Sequence, residues 1–256
     1  MRSRIVTLGI ASCLVAGIGI WAAIAPGTEH QIGSYVTTLN GRTDSQIFNA
    51  RLAVHKINGT VIQPGKTFSF VKAVGPWTAD VGYKKAPVSY DGELIDSWGG
   101  GVCQVSTTVY NAALIAGLEI AERHHHHWPA RYAPLGRDAA VAYENIDLKF
   151  RNTLPAPVRI VGKIDGENLI FSLYSTATPS YSVRIESEMR SVTLPNDIVQ
   201  DRTSTGRGRW KLVNRGHPGF YVATYRRFLA RGENRRQLIS TDQYPVMNRV
   251  VRITER

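Results

Sequence analysis

The chain has 256 residues, 43% of them hydrophobic, and a formal net charge of +11. That apolar share supports a packed core and excludes wholesale disorder, while scattered glycines and the lack of heptads exclude collagen-like and coiled-coil chains. Two cysteines, Cys13 and Cys103, exclude a disulfide-stapled scaffold and a cysteine-rich zinc module, and the basic excess calls for an acidic partner.

Arg2 and Arg4 precede an uncharged run from Ile5 to Ala25. Those 21 residues would rise about 31 Å as a helix, enough to cross a bilayer core. The basic end belongs in the cytoplasm, and Pro26 to His30 carries no Lys or Arg. Residues 1–27 are expected to be a single-pass anchor. A cleaved signal peptide is the rival, although Pro26 hinders cutting after Ala23-Ile24-Ala25, and Ile10-Ala11-Ser12-Cys13 offers a lipidation box as a third route. All three place the body outside the cytoplasm, touching the membrane through its N-terminus and away from nucleic acid. Cys103 is then the only thiol of the exported body. It is either buried and inert or kept for its reactivity.

The spacing of Ile47, Ala50, Val54 and Ile57 predicts a helix from Thr43 to Gly59, capped by Asp44 or Ser45. Residues 59–70 read as a strand, a Pro-Gly turn and another strand, and 72–98 as short strands and turns. Gly99-Gly100-Gly101 breaks the chain. Gln104 to Ala116 is a second helix with Val105, Val109, Ala112 and Ala116 on one side and Gly117 past its end. Residues 147–174 alternate as strands around a hairpin at Asp165-Gly166. From Tyr181 the composition shifts: residues 181–256 hold 15 Lys+Arg against 7 Asp+Glu in a β-type pattern.

The sharpest chemical signal is Trp98-Gly-Gly-Gly-Val-Cys-Gln-Val-Ser-Thr-Thr108. It puts Cys103 in the first turn of a helix, where unpaired N–H groups and the helix dipole favour a thiolate and could bind an oxyanion. Gly100 and Gly101 would let a substrate backbone approach, and Gln104 and Ser106 would offer side-chain donors. A buried structural cysteine beside a glycine turn fits the residues equally well. A nucleophile needs a base. In the run His124-His125-His126-His127, an extended chain would put His124 and His126 on one face, with Asp138 available to orient one of them. A solvated histidine loop and a metal-dependent hydrolase are the competing readings, but no HExxH or CxxC spacing supports metal, and no phosphate loop or other cofactor motif is present. Arg42 and Arg123 are candidate clamps for a substrate carboxylate.

The chain from Ser34 to Leu173 resembles the VanW family, named for an accessory protein of vancomycin-resistance clusters. The match includes Asn58-Gly-Thr-Val-Ile-Gln-Pro-Gly-Lys-Thr-Phe-Ser-Phe70 and Gly99-Gly-Gly-Val-Cys-Gln-Val-Ser-Thr-Thr-Val-Tyr-Asn-Ala-Ala113, with Gly41-Arg42, Asn49, Glu122-Arg123, His126, Tyr132, Gly136-Arg-Asp-Ala139 and Asp147. The family often has His-Ser where this chain has His126-His127. The tail around Gly216-His-Pro-Gly-Phe220 and Ile239-Ser-Thr-Asp-Gln-Tyr-Pro245 is similar to G5 domains, β modules linked to amino-sugar or cell-wall binding. The resemblance implies an α+β fold: a VanW-type domain over 28–178, with two main helices and antiparallel strands, then a small all-β, G5-like module over 179–256. It implies a bacterial cell-envelope setting and, for Cys103, the nucleophile role of a peptidoglycan L,D-transpeptidase. The partners would be stem peptides and wall glycan, with no cofactor. A non-catalytic wall-binding accessory protein is the alternative. Since the candidate site falls within 34–174, it is expected to work without the tail, which would bind the wall through charge and through Trp210, Phe220, Tyr221 and Tyr225.

Overall fold

In a computed structural model, the structure describes residues 27–90, 93–143, 145–201, 208–230 and 233–254. The expected spanning segment, with Cys13, lies outside them. Among the described residues no helix is long and apolar enough to cross a membrane.

The elements run β1 (His30–Thr38), α1 (Asp44–Ile57), β2 (Val61–Ile62), β3 (Thr67–Ser69), α2 (Phe70–Val74), β4 (Lys85–Tyr90), β5 (Glu93–Trp98), α3 (Val102–Ile115), β6 (Glu119–Glu122), β7 (Lys149–Arg151), β8 (Val158–Asp165) and β9 (Asn168–Ser175). Then come β10 (Ser182–Thr193), β11 (Asp197–Asp201), β12 (Arg209–Asn214), β13 (Gly219–Ala230), β14 (Glu233–Tyr244) and β15 (Arg249–Thr254). The architecture is α+β, dominated by antiparallel pairing, with β11 and β15 parallel.

Thr43, rather than Asp44 or Ser45, caps α1. Its hydroxyl accepts from Gln46 N at 3.2 Å while the Gln46 amide oxygen accepts from Thr43 N at 3.0 Å. This reciprocal box needs a Gln or Glu three residues after the cap, and only Thr43 has one. Ala50, Val54 and Ile57 are buried as the spacing predicts, with Ile47 half-buried. The Pro64-Gly65 turn is present, but its strands do not form a hairpin: β2 pairs with β8 and β3 with β7. The turn passes the chain between two sheets. The short α2, capped by Ser69, was not expected.

α3 is the central element. Val105, Val109, Tyr110, Ala112, Ala113 and Leu114 are fully buried, and so are Ser106, Thr107, Thr108 and Asn111. A helix buried on every face must satisfy its polar side chains internally, which gives the Ser-Thr-Thr stretch a role in tying neighbouring segments to α3. The sheet β1-β9-β8-β2 packs beside it and contributes Ile160, Leu169, Phe171 and Leu173 to the core. Complete burial of a side chain such as Phe171 contributes about 2–3 kcal/mol.

The C-terminal strands form two three-stranded sheets, β10-β13-β14 and β11-β15-β12. The first does not stand apart from the rest of the chain. Ile185 and Ile239 pack on the main core, and Arg226 Nη1 donates to Leu118 O at 2.6 Å. Thr224 Oγ1 donates to Gly136 O at 3.0 Å. These are buried polar groups, and separating the sheet from the rest would strand them.

Candidate active site

The glycine turn is held by the protein's own chain. Gly101 has φ +104, and a Cβ there would lie 2.4 Å from Gln46 O. A Cβ on Gly100 would lie 2.8 Å from Pro87 O and 2.9 Å from Ala86 Cβ. The close approach predicted at Gly100 and Gly101 is therefore made by α1 and β4, not by substrate. Buried Asn49 fastens the turn: its Nδ2 donates to Gly100 O at 3.0 Å and Lys84 O at 2.9 Å, and its Oδ1 accepts from Lys84 N at 2.8 Å. Val102 N–H and Gln104 N–H close onto the Gly99 and Gly101 carbonyls.

Cys103 follows on the first turn of α3, partly exposed, with its thiol on Val141 O at 3.4 Å. Ser106 and Gln104 are turned away from it. Ser106 Oγ donates to Ala139 O at 2.6 Å, Thr107 Oγ1 accepts from Ala139 N at 2.9 Å, and Asn111 Nδ2 donates to Arg137 O at 2.7 Å. These bonds pin the loop carrying Asp138 onto the helix carrying Cys103. Gln104 Nε2 donates to Thr38 O at 2.7 Å and Thr37 Oγ1 at 3.1 Å, while its Oε1 accepts from Arg42 Nε at 2.9 Å. Neither side chain is a donor aimed at the thiol, because each is fully engaged in the fold.

Of the four consecutive histidines, one meets Asp138. His126 N and Nδ1 both reach Asp138 Oδ2, at 2.7 and 2.6 Å. A carboxylate only accepts, so Nδ1 carries the proton and Nε2 is left for the thiol side. His124 instead faces Glu122 at 3.1 Å, and His125 lies edge-on to Tyr244, ring centroids 5.2 Å apart. The four side chains diverge, and among the described residues no three His, Cys, Asp or Glu side chains converge as metal ligands.

The charges reinforce one another. Burial opposes the imidazolium, but Asp138 and Cys103 outweigh it and push His126 up to about 10. Burial likewise opposes the thiolate, yet the neighbouring His126 brings the Cys103 thiol below its ordinary value. Asp138 is held well below the usual carboxylate range: burial works against its charge, but His126 and Arg123 prevail. Cys103, His126 and Asp138 are each shifted toward their charged forms.

Arg123 is not a substrate clamp. Its side chain is 5% exposed and bonds Asp138 O at 2.6 Å, Asp138 Oδ1 at 3.2 Å and Asp242 Oδ1 at 2.5 Å. Tyr244 OH donates to the same Asp138 Oδ1 at 2.5 Å and accepts from Gly136 N at 3.0 Å. The site thus extends beyond 34–174 into β14, which the sequence reading did not foresee. Tyr132 was also missed as a site residue: its ring stands edge-on to His126 at 6.4 Å with the Arg42 guanidinium 4.9 Å from its centroid. Arg42 therefore lies close to the Asp138–His126 pair.

Residues 45–174, which carry this turn, helix and relay loop, match the family model described as VanW like protein. The chain belongs to the VanW family. The chain is 42% identical over 149 residues to the Bacillus subtilis uncharacterized protein YoaR, covering 58% of this chain and 49% of that one. It is 31% identical over 147 residues to the Enterococcus faecalis vancomycin B-type resistance protein VanW, covering 56% and 54%. The chain spans about half the length of the curated relatives it matches. Among solved structures, the G5 domain of HP0197 overlaps 30% of this chain and all of that one at 16% identity and TM-score 0.19. The IgA1 protease G5 domain overlaps 31% and 96% at 21% identity and TM-score 0.24. Such scores are too low to bear on fold or ligand. The VanW match ends at residue 174, within β9, so Asp242 and Tyr244 lie outside it.

Proposed function

We propose that this VanW-family chain is a cysteine acyltransferase of the cell envelope, acting on peptide carbonyls of peptidoglycan stems. The observation that carries the reading is the Asp138–His126 contact of 2.6 Å beside a partly exposed Cys103 at the start of α3. Buried structural cysteines do not need an oriented imidazole as neighbour. The Cys103 thiolate attacks the carbonyl of a peptide bond before a terminal D-residue, and the C–N bond breaks. His126 starts as the acid: its Nε2 proton goes to the departing amine, leaving a thioester and a neutral imidazole. An amine from a neighbouring stem then attacks the thioester, its proton passing to His126 as the thiolate leaves, and a cross-link results. Water in place of the amine gives hydrolysis. Cys103 N–H, in the first turn, is the donor for the oxyanion, since its two neighbours are engaged. Arg42, held by Gln104 against Tyr132, is the clamp for the stem carboxylate.

The likeness to a protein named for vancomycin resistance supports the wall setting, and the N-terminal apolar run supports membrane anchoring with residues 28–178 and 179–256 outside the cytoplasm. Trp210 and Tyr221, 65% and 42% exposed, are the tail aromatics placed to stack on glycan. Tyr225 is already covered by Arg236, 3.5 Å from its ring centroid. Incubating the protein with synthetic stem peptides and weighing it intact is the test: a mass gain equal to the acylated stem, mapped to Cys103, is expected. Absence of any Cys103 adduct with tetra- and pentapeptide stems would leave a non-catalytic wall-binding protein.

A further inference from the structure

We infer that β14 completes the reaction centre: Tyr244 and Asp242 are positioning residues that hold the Asp138–Arg123 pair so that Asp138 presents Oδ2 to His126. This rests on the relay proposed above and extends it to residues beyond the VanW match.

The two oxygens of Asp138 are used differently. Oδ2 faces His126, whereas Oδ1 receives Tyr244 OH at 2.5 Å and Arg123 Nη2 at 3.2 Å. Arg123 Nη2 stays on Oδ1 when either β14 residue is changed, so such a change alters the charge that reaches Oδ2 rather than the rotamer of the carboxylate. Tyr244 OH also takes Gly136 N–H, fixing the turn that leads into Asp138. Asp242 accepts Arg123 Nη1 at 2.5 Å and Ser240 Oγ at 3.2 Å, so Arg123 is held between two carboxylates. The acceptors and the hydroxyl in this chain of contacts are buried: Asp138 at 1%, Asp242 at 2% and Tyr244 at 1% exposure. Buried ionic contacts of this kind are weakly screened and act at full strength on their neighbours.

The charge pattern gives the two residues opposite effects. The ionisable groups around His126 are Cys103 on α3, Asp138 and Tyr132 on the loop, Arg123, and Tyr244 and Asp242 on β14, with Arg42 across Tyr132. Removing the Asp242 charge leaves Arg123 wholly on Asp138, which weakens the hold of Asp138 on the imidazolium. Removing the Tyr244 hydroxyl takes a donor away from Asp138 and concentrates its charge on His126. Loosening of a merely structural joint would act in one direction for both.

The test follows the His126 ring by NMR in full-length protein in detergent micelles with labelled histidine, the signal assigned through His126→Gln. Asp242→Asn should lower the His126 titration midpoint and Tyr244→Phe should raise it, each by about half a pH unit or more. Phe keeps the ring against His125, and Asn keeps the shape of Asp. Unchanged midpoints, or shifts of one sign in both variants, would overturn the inference and reduce these contacts to stitching of the fold. Cys103→Ser separates this from the relay reading: it should lower the midpoint, and if it does not while the β14 variants do, the relay with the thiol fails and the positioning of His126 stands.

Discussion

Gly101 and Gln46 lie so close that a single methyl on Gly101 would sit 2.4 Å from the Gln46 carbonyl oxygen. The approach fixes where α3 begins relative to α1, and with it the position of Cys103. Gly101→Ala combines a left-handed φ of +104 with this clash, and should cost about 3 kcal/mol or more. Gly59→Ala shares a positive φ, +83, with nothing within 4 Å, and should cost only about 1 kcal/mol. Urea denaturation of both variants checks the difference, which isolates packing from backbone strain.

Asn49→Ala should destabilise the chain by about 2–4 kcal/mol, because it leaves Gly100 O, Lys84 O and Lys84 N short of a buried partner. Asn49→Asp should be no better, since a carboxylate cannot donate to the two carbonyls. Thermal melts of both variants give the comparison, and a melt within a degree of the parent would refute the clamp.

Cys103→Ser should abolish turnover, roughly a thousandfold or more, because a serine hydroxyl is not ionised beside His126. The small change in volume leaves the contact with Val141 O available, so the melting temperature should hold. Full activity in the serine variant would remove Cys103 from the mechanism.

Asp138 ties stability to acid. Its folded pKa lies below the ordinary value, so its contribution is fully present above about pH 4 and is lost as pH falls through the folded pKa. Asp138→Asn should destabilise the neutral protein by about 3–5 kcal/mol, because Arg123 and His126 lose a buried counter-charge. It should also flatten the stability profile below pH 4. Denaturation at pH 6, 4 and 3 measures both effects, and parallel profiles for variant and parent would contradict this account.

Wall binding by the tail is best tested by point changes on its exposed strand β12, since deleting the tail would also uncover Asp138. Arg209 and Lys211 flank Trp210 on β12, all three exposed. Replacing both cations with Gln should weaken co-sedimentation with purified walls at low salt and matter little at high salt, because exposed charges are screened over about 8 Å at physiological ionic strength. Trp210→Ala should weaken it about three- to tenfold at every salt concentration. Equal sedimentation of all variants would exclude β12 as the wall contact.

Local features were legible in the sequence because their causes are local. The two long helices follow from apolar spacing around Val54 and Val105, the β8–β9 hairpin from Asp165-Gly166, and the family from the residues around Cys103. The pairing of Asp138 with a histidine was also anticipated, and the nearness of the histidine run to Asp138 along the chain made it visible. Which histidine it would be was not, because consecutive residues project to different sides and only the bridge between His124 and Ala140 decides which side faces Asp138. Gln104, Ser106 and Arg123 looked like substrate groups because polar residues near a candidate nucleophile do so in one dimension; packing turned them inward, where buried donors must find partners. Asp242 and Tyr244 stand out in the sequence only as part of the tail's G5-like stretch, not as partners of Asp138. Tyr244 is 106 positions from Asp138, and no spacing rule connects a strand end to a loop that far away. Composition and local periodicity determined the helices, the hairpin and the place of Cys103 at a helix start. Only the docking of β14 on that loop, a contact between buried groups remote in the chain, decided what stands behind the histidine.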